Sequence, residues 1–549
     1  MRSLTLYLIL ASLAVFSQEH GLNWPIDSPH VITGNYGELR PNHFHAGMDF
    51  STNGQVNHEV FAAEEGYVSR IRVSPVGYGK SVYITHPNGL VTVYGHLNSF
   101  SLKIDKVVRQ QQEELQSYEV EILQRPGIMP VRKNEIIGLS GNTGGSTGPH
   151  LHFEIRDAVT ETPLNPFLFY RMTDTTKPEI DHIGIYNLSD TCSPRFIRGF
   201  AIRAKDTDSN MYRQLIEVDK SILGVAFSAS DKLFPRGNPN NVYSAKLFFD
   251  DQLVYSHRLK GIDFADARYV NEFSETVDRI KYQKCFIPTL YPAKLYPDGC
   301  YGKGRIILED TLIHFLKLVV CDERGNERSL GFRLRAVALN AFSEPNIKSR
   351  LFAFCDRDFK ETSDGVTLYI PANTLYYSTP VILENTLEGT GKLIVLPTGL
   401  NLRSAATVIF KVPPPLQRNK EKLVLINGRV VTPGKFNSDS VFFQVKNFGW
   451  MQLSSDTIPP RIRTSLKLKK IKRLRNFKSF SFLVTDYLSG ISRYSLFING
   501  KWTLAEYDAK YDLLTYYFDE KTPAGPLQFR VEATDQVGNS SVFEFALRR

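Results

Sequence analysis

No C-x-x-C pair occurs among the five cysteines, Cys192, Cys285, Cys300, Cys321 and Cys355. A cysteine zinc site and a dithiol redox motif are thereby disfavoured. Cys285 and Cys300 could close a short loop, but spacing does not assign a pairing, and the odd count leaves at least one thiol free or linked to another chain. Glycine (37) and proline (29) are not in excess, which excludes collagen-like and low-complexity chains. Beyond residue 17 no stretch is apolar enough to cross a bilayer as a helix. Neither sign of charge dominates: 66 basic against 57 acidic residues leave a net +9 over 549 residues. That bias suits an anionic surface such as a cell envelope and is no evidence for nucleic-acid binding.

A chain of this length is too long for one ordinary domain and predicts several. Abundant Tyr (26) and Phe (36) with scarce Met (6) point to a mostly β, strand-rich protein. Nine of the 12 histidines lie between His20 and His152, which draws attention to the first domain as the seat of a metal or acid–base site. At the N-terminus, Met1-Arg2-Ser3 precedes thirteen residues, Leu4–Phe16, that are apolar but too few to span a bilayer. Val15 and Ser17 suit cleavage before Gln18, so residues 1–17 read as a secretory signal peptide, implying export to the periplasm or cell envelope, or full secretion. No cysteine follows that would carry a lipid.

Residues 18–172 form the first unit, rich in short alternating runs and glycine turns. Ser81–Thr85 and Val91–Tyr94 flank Pro87-Asn88-Gly89 as a hairpin, whereas Ile104–Gln124 reads as a charged amphipathic helix. Residues 173–338 and 457–549 share a frame, with a proline-marked opening (Thr176–Ile180; Thr457–Arg461) and a late Asp-x-x-Gly-Asn turn (Asp322–Asn326; Asp535–Asn539) before a last alternating strand. That frame predicts β-sandwiches and resembles immunoglobulin-like modules of bacterial surface proteins. Residues 339–456 form another β-rich unit, whose run Gly365–Tyr377 loosely resembles the start of a ZU5-like domain. Arg461–Lys478 carries nine basic residues and no acidic one, which reads either as a contact for anionic polymer or lipid headgroups or as a solvated strand face.

Three segments carry chemistry: His45-Ala46-Gly47-Met48-Asp49, Tyr94-Gly95-His96-Leu97 and Gly148-Pro149-His150-Leu151-His152-Phe153-Glu154. In a strand, side chains two apart share a face, at about 7 Å between Cα atoms. His150, His152 and Glu154 then face one way, and Leu151, Phe153 and Ile155 enter a core. Pro41 and Gly47 argue against a helix around His45 and Asp49 and favour an extended segment. His45, Asp49 and His152 together make a His2Asp set, and three protein ligands with one open position are the pattern of a catalytic rather than a structural zinc site. Glu154 reads either as a residue orienting a ligand or as an ordinary strand glutamate. The glycine-rich Gly141–Gly148 lacks the Gly-Lys-Ser/Thr of a phosphate loop and reads as a tight turn leading into the strand.

HAGMD, YGHL and GNTGGSTGPHLHFE, in this order, resemble the lysostaphin/LytM-type zinc endopeptidases over roughly residues 35–165. By that resemblance the first domain is an antiparallel sheet of duplicated-hybrid-motif type. His45, Asp49 and His152 match its metal ligands for one Zn2+, and His96 and His150 match its two catalytic histidines that do not bind metal. Residues 101–129 then stand as an insertion bordering the cleft or as a surface helix. The implied activity is hydrolysis of peptide bonds in peptidoglycan stem or cross-bridge peptides, with the later β-domains positioning the enzyme or binding an envelope partner. Two other readings remain at this level: a non-catalytic wall-binding or amidase-activating protein, which retention of all five residues disfavours, and a secreted protease acting on non-wall proteins.

Overall fold

Leu151, Phe153 and Ile155 alternate with polar residues along one strand and are wholly buried, as their spacing requires. That strand, His150–Asp157, lies near the middle of the first unit's main sheet in the computed structural model of the chain. The structure describes residues 21–27, 31–170, 173–189, 194–208, 214–219, 222–233, 238–296, 301–338, 351–385, 392–412, 414–464 and 477–549. The expected signal peptide, Cys192, Cys300 and residues 465–476 of the basic run lie outside the described residues.

The main sheet runs, edge to edge, Ile32–Gly34, Met48–Ser51, His150–Asp157, Leu90–Leu97, Lys80–Thr85, Gly66–Val73 and Val120–Leu123. All these neighbours are antiparallel. The hairpin expected about Pro87-Asn88-Gly89 joins Lys80–Thr85 to Leu90–Leu97. A three-stranded sheet of Glu59–Phe61, Ile136–Leu139 and Ser99–Phe100 accompanies it.

The helix is shorter than its charge pattern suggested. It spans Leu102–Leu115 and stops at Gln116, whose left-handed backbone (φ 48°) turns its N–H back to the Gln112 carbonyl. Residues Val120–Leu123 form a strand instead, because Val120 and Ile122 alternate into the core and pair with Ile71 and Val73. Tertiary pairing here overrides a helical reading of a charged segment.

The rest of the chain is mostly β, as expected. Among the described residues its strands form three further pairs of sheets, antiparallel except where Leu215–Val218 runs parallel to Glu327–Ala336. In the last pair, Phe480 and Phe482 of one sheet meet Phe529 and Phe545 of the other.

These units are not beads on a string. Leu39 and Phe44, opposed on the short strands Leu39–Arg40 and His43–Phe44, join the apolar core of the second unit with Tyr36. Tyr36 donates its hydroxyl to the Pro163 carbonyl and accepts the Ile262 amide. Residues 101–129 also find a partner: Glu113 pairs with Lys521 at 3.0 Å, and Tyr494 donates to Glu119 at 3.3 Å. Nearby, Lys80 bridges to Glu506 at 2.9 Å, and Lys510 donates to the Asn142 carbonyl. The last sandwich therefore rests on the helix and reaches the glycine turn. Tyr118, 5% exposed, belongs to an apolar cluster that contains residues of both. Tyr118→Ala should cost about 3–5 kcal/mol by leaving a cavity at this seat. Calorimetry should show a lower transition midpoint, and an unchanged one would contradict a packed seat.

Candidate metal centre

Antiparallel register sets the site. His152 stands opposite Asp49 on one neighbouring strand and opposite Gly95 on the other. Directly opposed residues point to the same face, so Asp49 and His152 meet over the sheet. His45 arrives from the segment between His43–Phe44 and Met48–Ser51, held by backbone bonds from its N–H to Glu38 and from Gly37 to its carbonyl. Three donor atoms then converge. His45 Nε2 lies 3.0 Å from His152 Nδ1, His152 Nδ1 lies 2.9 Å from Asp49 Oδ1, and His45 Nε2 lies 3.1 Å from Asp49 Oδ1. All three residues are buried, and they could hold a metal ion.

The surroundings choose which nitrogens bear lone pairs. His45 Nδ1 donates to the Asn35 carbonyl at 2.8 Å, leaving Nε2 for a metal. His152 Nε2 donates to Glu154 Oε1 at 2.8 Å, leaving Nδ1. Hydrogen bonds to the far side of ligand imidazoles fix ring orientation and raise basicity. Burial alone would lower the His152 imidazole; Asp49 and Glu154 outweigh it and hold it at about 9. A metal ion taking its place among the three donors therefore displaces a proton. Burial likewise would raise the Asp49 carboxyl, but His45 and His152 outweigh it and hold it well below the usual range.

Three partners escaped the sequence reading. Arg40 pairs its guanidinium with Asp49 Oδ2 and with Glu38. This fixes the carboxylate so that Oδ1 faces the histidines. No spacing rule flags an arginine nine residues before an aspartate. Gly34 lies opposite Asp49, and a Cβ there would come 2.6 Å from the Arg40 guanidinium, so glycine leaves room for the pair. Arg156 closes the other end: its guanidinium meets Glu154 Oε2 at 2.6 Å. Tyr78 donates its hydroxyl to Glu154 Oε1. Burial would raise Glu154, but Arg156 and His152 outweigh it and keep it at about 2. Glu154, wholly buried and bonded to His152 Nε2, is thus not a surface strand glutamate. Its alternation with His152 and Arg156 was the available signal.

His96 and His150 stand beside this set. The His96 ring centroid lies 4.8 Å from His150 and 5.7 Å from His152. His96 Nδ1 donates to the Thr143 carbonyl at 2.8 Å, and His150 Nδ1 to the Gly148 carbonyl at 2.8 Å. Both rings are left with Nε2 as acceptor. His150 Nε2 is buried with no hydrogen-bond partner among the described residues, 3.4 Å from Asp49 Oδ1. Burial, with His152 and His150, pushes His96 down to about 3, so its ring is neutral near pH 7. His96 adopts φ 60°, a left-handed conformation uncommon outside glycine and found at functional sites. The turn that supplies the Thr143 carbonyl needs Gly144, which has φ 72° and passes so close that a Cβ would lie 2.3 Å from the Gly79 nitrogen.

Residues 43–113 and 123–166 match Peptidase family M23, and the match spans all five of these residues. DD-carboxypeptidase/endopeptidase Mpg of Neisseria meningitidis is 34% identical over 122 residues, covering 22% of this chain and 22% of that protein. Peptidoglycan DD-endopeptidase ShyA of Vibrio cholerae is 30% identical over 148 residues, covering 26% of this chain and 28% of that protein. This chain thus aligns with between 22% and 28% of the length of these two curated relatives. Among solved structures, a mutant of the catalytic domain of the prophage-encoded M23 protein EnpA from Enterococcus faecalis is 27% identical, covering 27% of this chain and 95% of that one, with a TM-score of 0.20. The resemblance drawn from the three motifs is met over this region.

Arg40→Ala should weaken binding of a divalent metal by about 10–100-fold, the usual cost of losing a partner that orients a ligand. Competition with a chromophoric chelator measures it. Undiminished affinity would show that Arg40 does not set the Asp49 carboxylate.

Proposed function

We propose that the chain is an exported zinc metalloendopeptidase that cuts peptide bonds in the stem or cross-bridge peptides of peptidoglycan. The observation that carries this reading is the convergence of His45, Asp49 and His152, with His96 and His150 alongside. The donor set fits zinc. Ligands at 2.0–2.1 Å in a tetrahedron lie roughly 3.3 Å from one another, and the three donors are 2.9–3.1 Å apart. Two nitrogens and one oxygen, each held from behind, form the three-ligand set of a catalytic site.

Zinc bound there supplies Lewis acidity, polarising a peptide carbonyl and acidifying water. The protein residues do the rest. Asp49, held by Arg40, keeps its charge beside the reacting groups. His96 and His150, each tied through Nδ1 to a backbone carbonyl, present Nε2 as an acceptor. A ring that takes the proton of the attacking water on Nε2 becomes an N–H donor there, which can hydrogen-bond the developing oxyanion and then pass the proton to the leaving amine. Peptidoglycan as substrate is supported by the name of the Vibrio cholerae relative. Export is supported by the apolar run Leu4–Phe16 after a basic start. The β-rich units after the first position the centre against its substrate or an envelope partner, a role supported by the contacts from Glu506 and Lys510 to Lys80 and Asn142.

Wild-type protein should retain about one zinc per chain and release new amine termini from purified sacculi, identified by mass analysis of the fragments. His152→Ala should lose both. His96→Ala should keep the metal while turnover falls about 100-fold or more, the usual worth of a general acid–base group. Equal digestion by wild type and His152→Ala would remove the assignment. Cleavage of casein with sacculi left intact would redirect the substrate to non-wall protein.

A further inference from the structure

The two sandwiches that share a sequence frame also share a cluster of carboxylates. Asp174, Asp231 and Asp322 bring one oxygen each within 4.8 Å of one another, and so do Asp456, Asp486 and Asp535. The positions correspond one to one. Asp174 and Asp456 each stand four residues before a proline, Pro178 and Pro460, at the opening of the unit. Asp231 directly follows the strand Ile222–Ser230, and Asp486 directly follows Ser479–Thr485; each of these strands pairs with its unit's opening strand. Asp322 and Asp535 begin the Asp-x-x-Gly-Asn turn before the last strand. In both turns the asparagine, Asn326 or Asn539, donates to the backbone carbonyl of the opening aspartate, at 3.1 and 2.9 Å.

Such a cluster is costly without a counter-ion. Asp231 is wholly buried, yet neither of its oxygens has a hydrogen-bond partner of ordinary geometry among the described residues. Asp174 Oδ2 is likewise without one, as are both amide atoms of Asn240, whose backbone pairs with Asp231. In the last sandwich Asp486 Oδ1 and the buried Ser489 Oγ lack partners among the described residues, while the Ser489 amide donates to Asp456 Oδ2.

We propose that Asp174, Asp231 and Asp322 hold one Ca2+, and that the equivalent Asp456, Asp486 and Asp535 hold a second. The donors are all oxygens, which favours a hard cation over zinc. Oxygens on opposite sides of Ca2+ lie about 4.6–5.2 Å apart, so separations up to 4.8 Å fit. Mg2+ prefers to keep several waters, whereas two of the three carboxylates in each cluster are buried. Each ion sits at a junction. At the first, Arg324 donates to the Tyr170 carbonyl and Asn165 to Glu323. At the second, Lys422 donates to the Val537 carbonyl, and the Asp456 amide to that of Lys422. Calcium there fastens the opening, middle and late parts of a sandwich at the point where the preceding unit joins it.

The test uses the purified full chain, freed of calcium with EGTA, resupplied with zinc and dialysed. Calorimetric titration with CaCl2 should show two sites, and elemental analysis two calcium ions per chain. Asp231→Asn and Asp486→Asn should each retain one, and the double variant none. In EGTA, Asp231→Asn should melt no lower than wild type, since it removes a buried charge, but it should lose half of the stabilisation that calcium gives wild type. One calcium in wild type and none in Asp231→Asn would keep the first site and remove the second. No calcium in wild type, an unchanged count in Asp231→Asn, or a preference for Mg2+ would overturn the proposal.

Discussion

A line of alternating charge, buried from Asp49 onward and half-buried at Arg40, crosses the main sheet: Arg40, Asp49, His152, Glu154, Arg156. No member could be left unpaired, because an isolated buried charge costs several kcal/mol. Each is satisfied by the next, and the two arginines close the ends. The line depends on register. Asp49 meets His152 only because Met48–Ser51 pairs with His150–Asp157 as it does, and a slip of one residue would turn one set to the opposite face. Fold and chemistry therefore stabilise each other: the core face holds Leu151, Phe153 and Ile155, and the opposite face holds the donors.

The site is also braced from outside its own unit. Asn35, whose carbonyl orients His45, exchanges hydrogen bonds with the backbone of Asn241 in the second unit, at 2.8 and 3.2 Å. Lys281 donates to the Leu39 carbonyl, one residue before Arg40. The segment bearing His45 and Arg40 thus hangs partly on residues 200 or more positions away. The last sandwich meets the first unit on a different side, through the helix and the turn that carries Asn142. The later β-units consequently act on the geometry of the centre and do not merely follow it in the chain.

The carboxylate clusters show how a repeat becomes visible. Proline-marked openings and Asp-x-x-Gly-Asn turns were legible as a shared frame because turns have strong local signatures. Asp231 and Asp486 were not, since a single aspartate after a strand has no such signature. Only pairing of the strands brings it to the turn.

Local chemistry, written in short stretches, was legible from the sequence by itself. The alternation at His150–Glu154, the hairpin at Asn88-Gly89, the strand-rich composition and the three ordered motifs follow from side-chain spacing and backbone preference. These act between near neighbours. The tertiary structure alone decided that Arg40 would hold Asp49, that Glu154 would be buried, and that the helix would end at Leu115 with a strand beyond it. It also decided which later unit would brace which loop. Those outcomes rest on contacts between residues far apart in the chain, and the identity of such a partner is set by sheet register and packing, which no local pattern encodes.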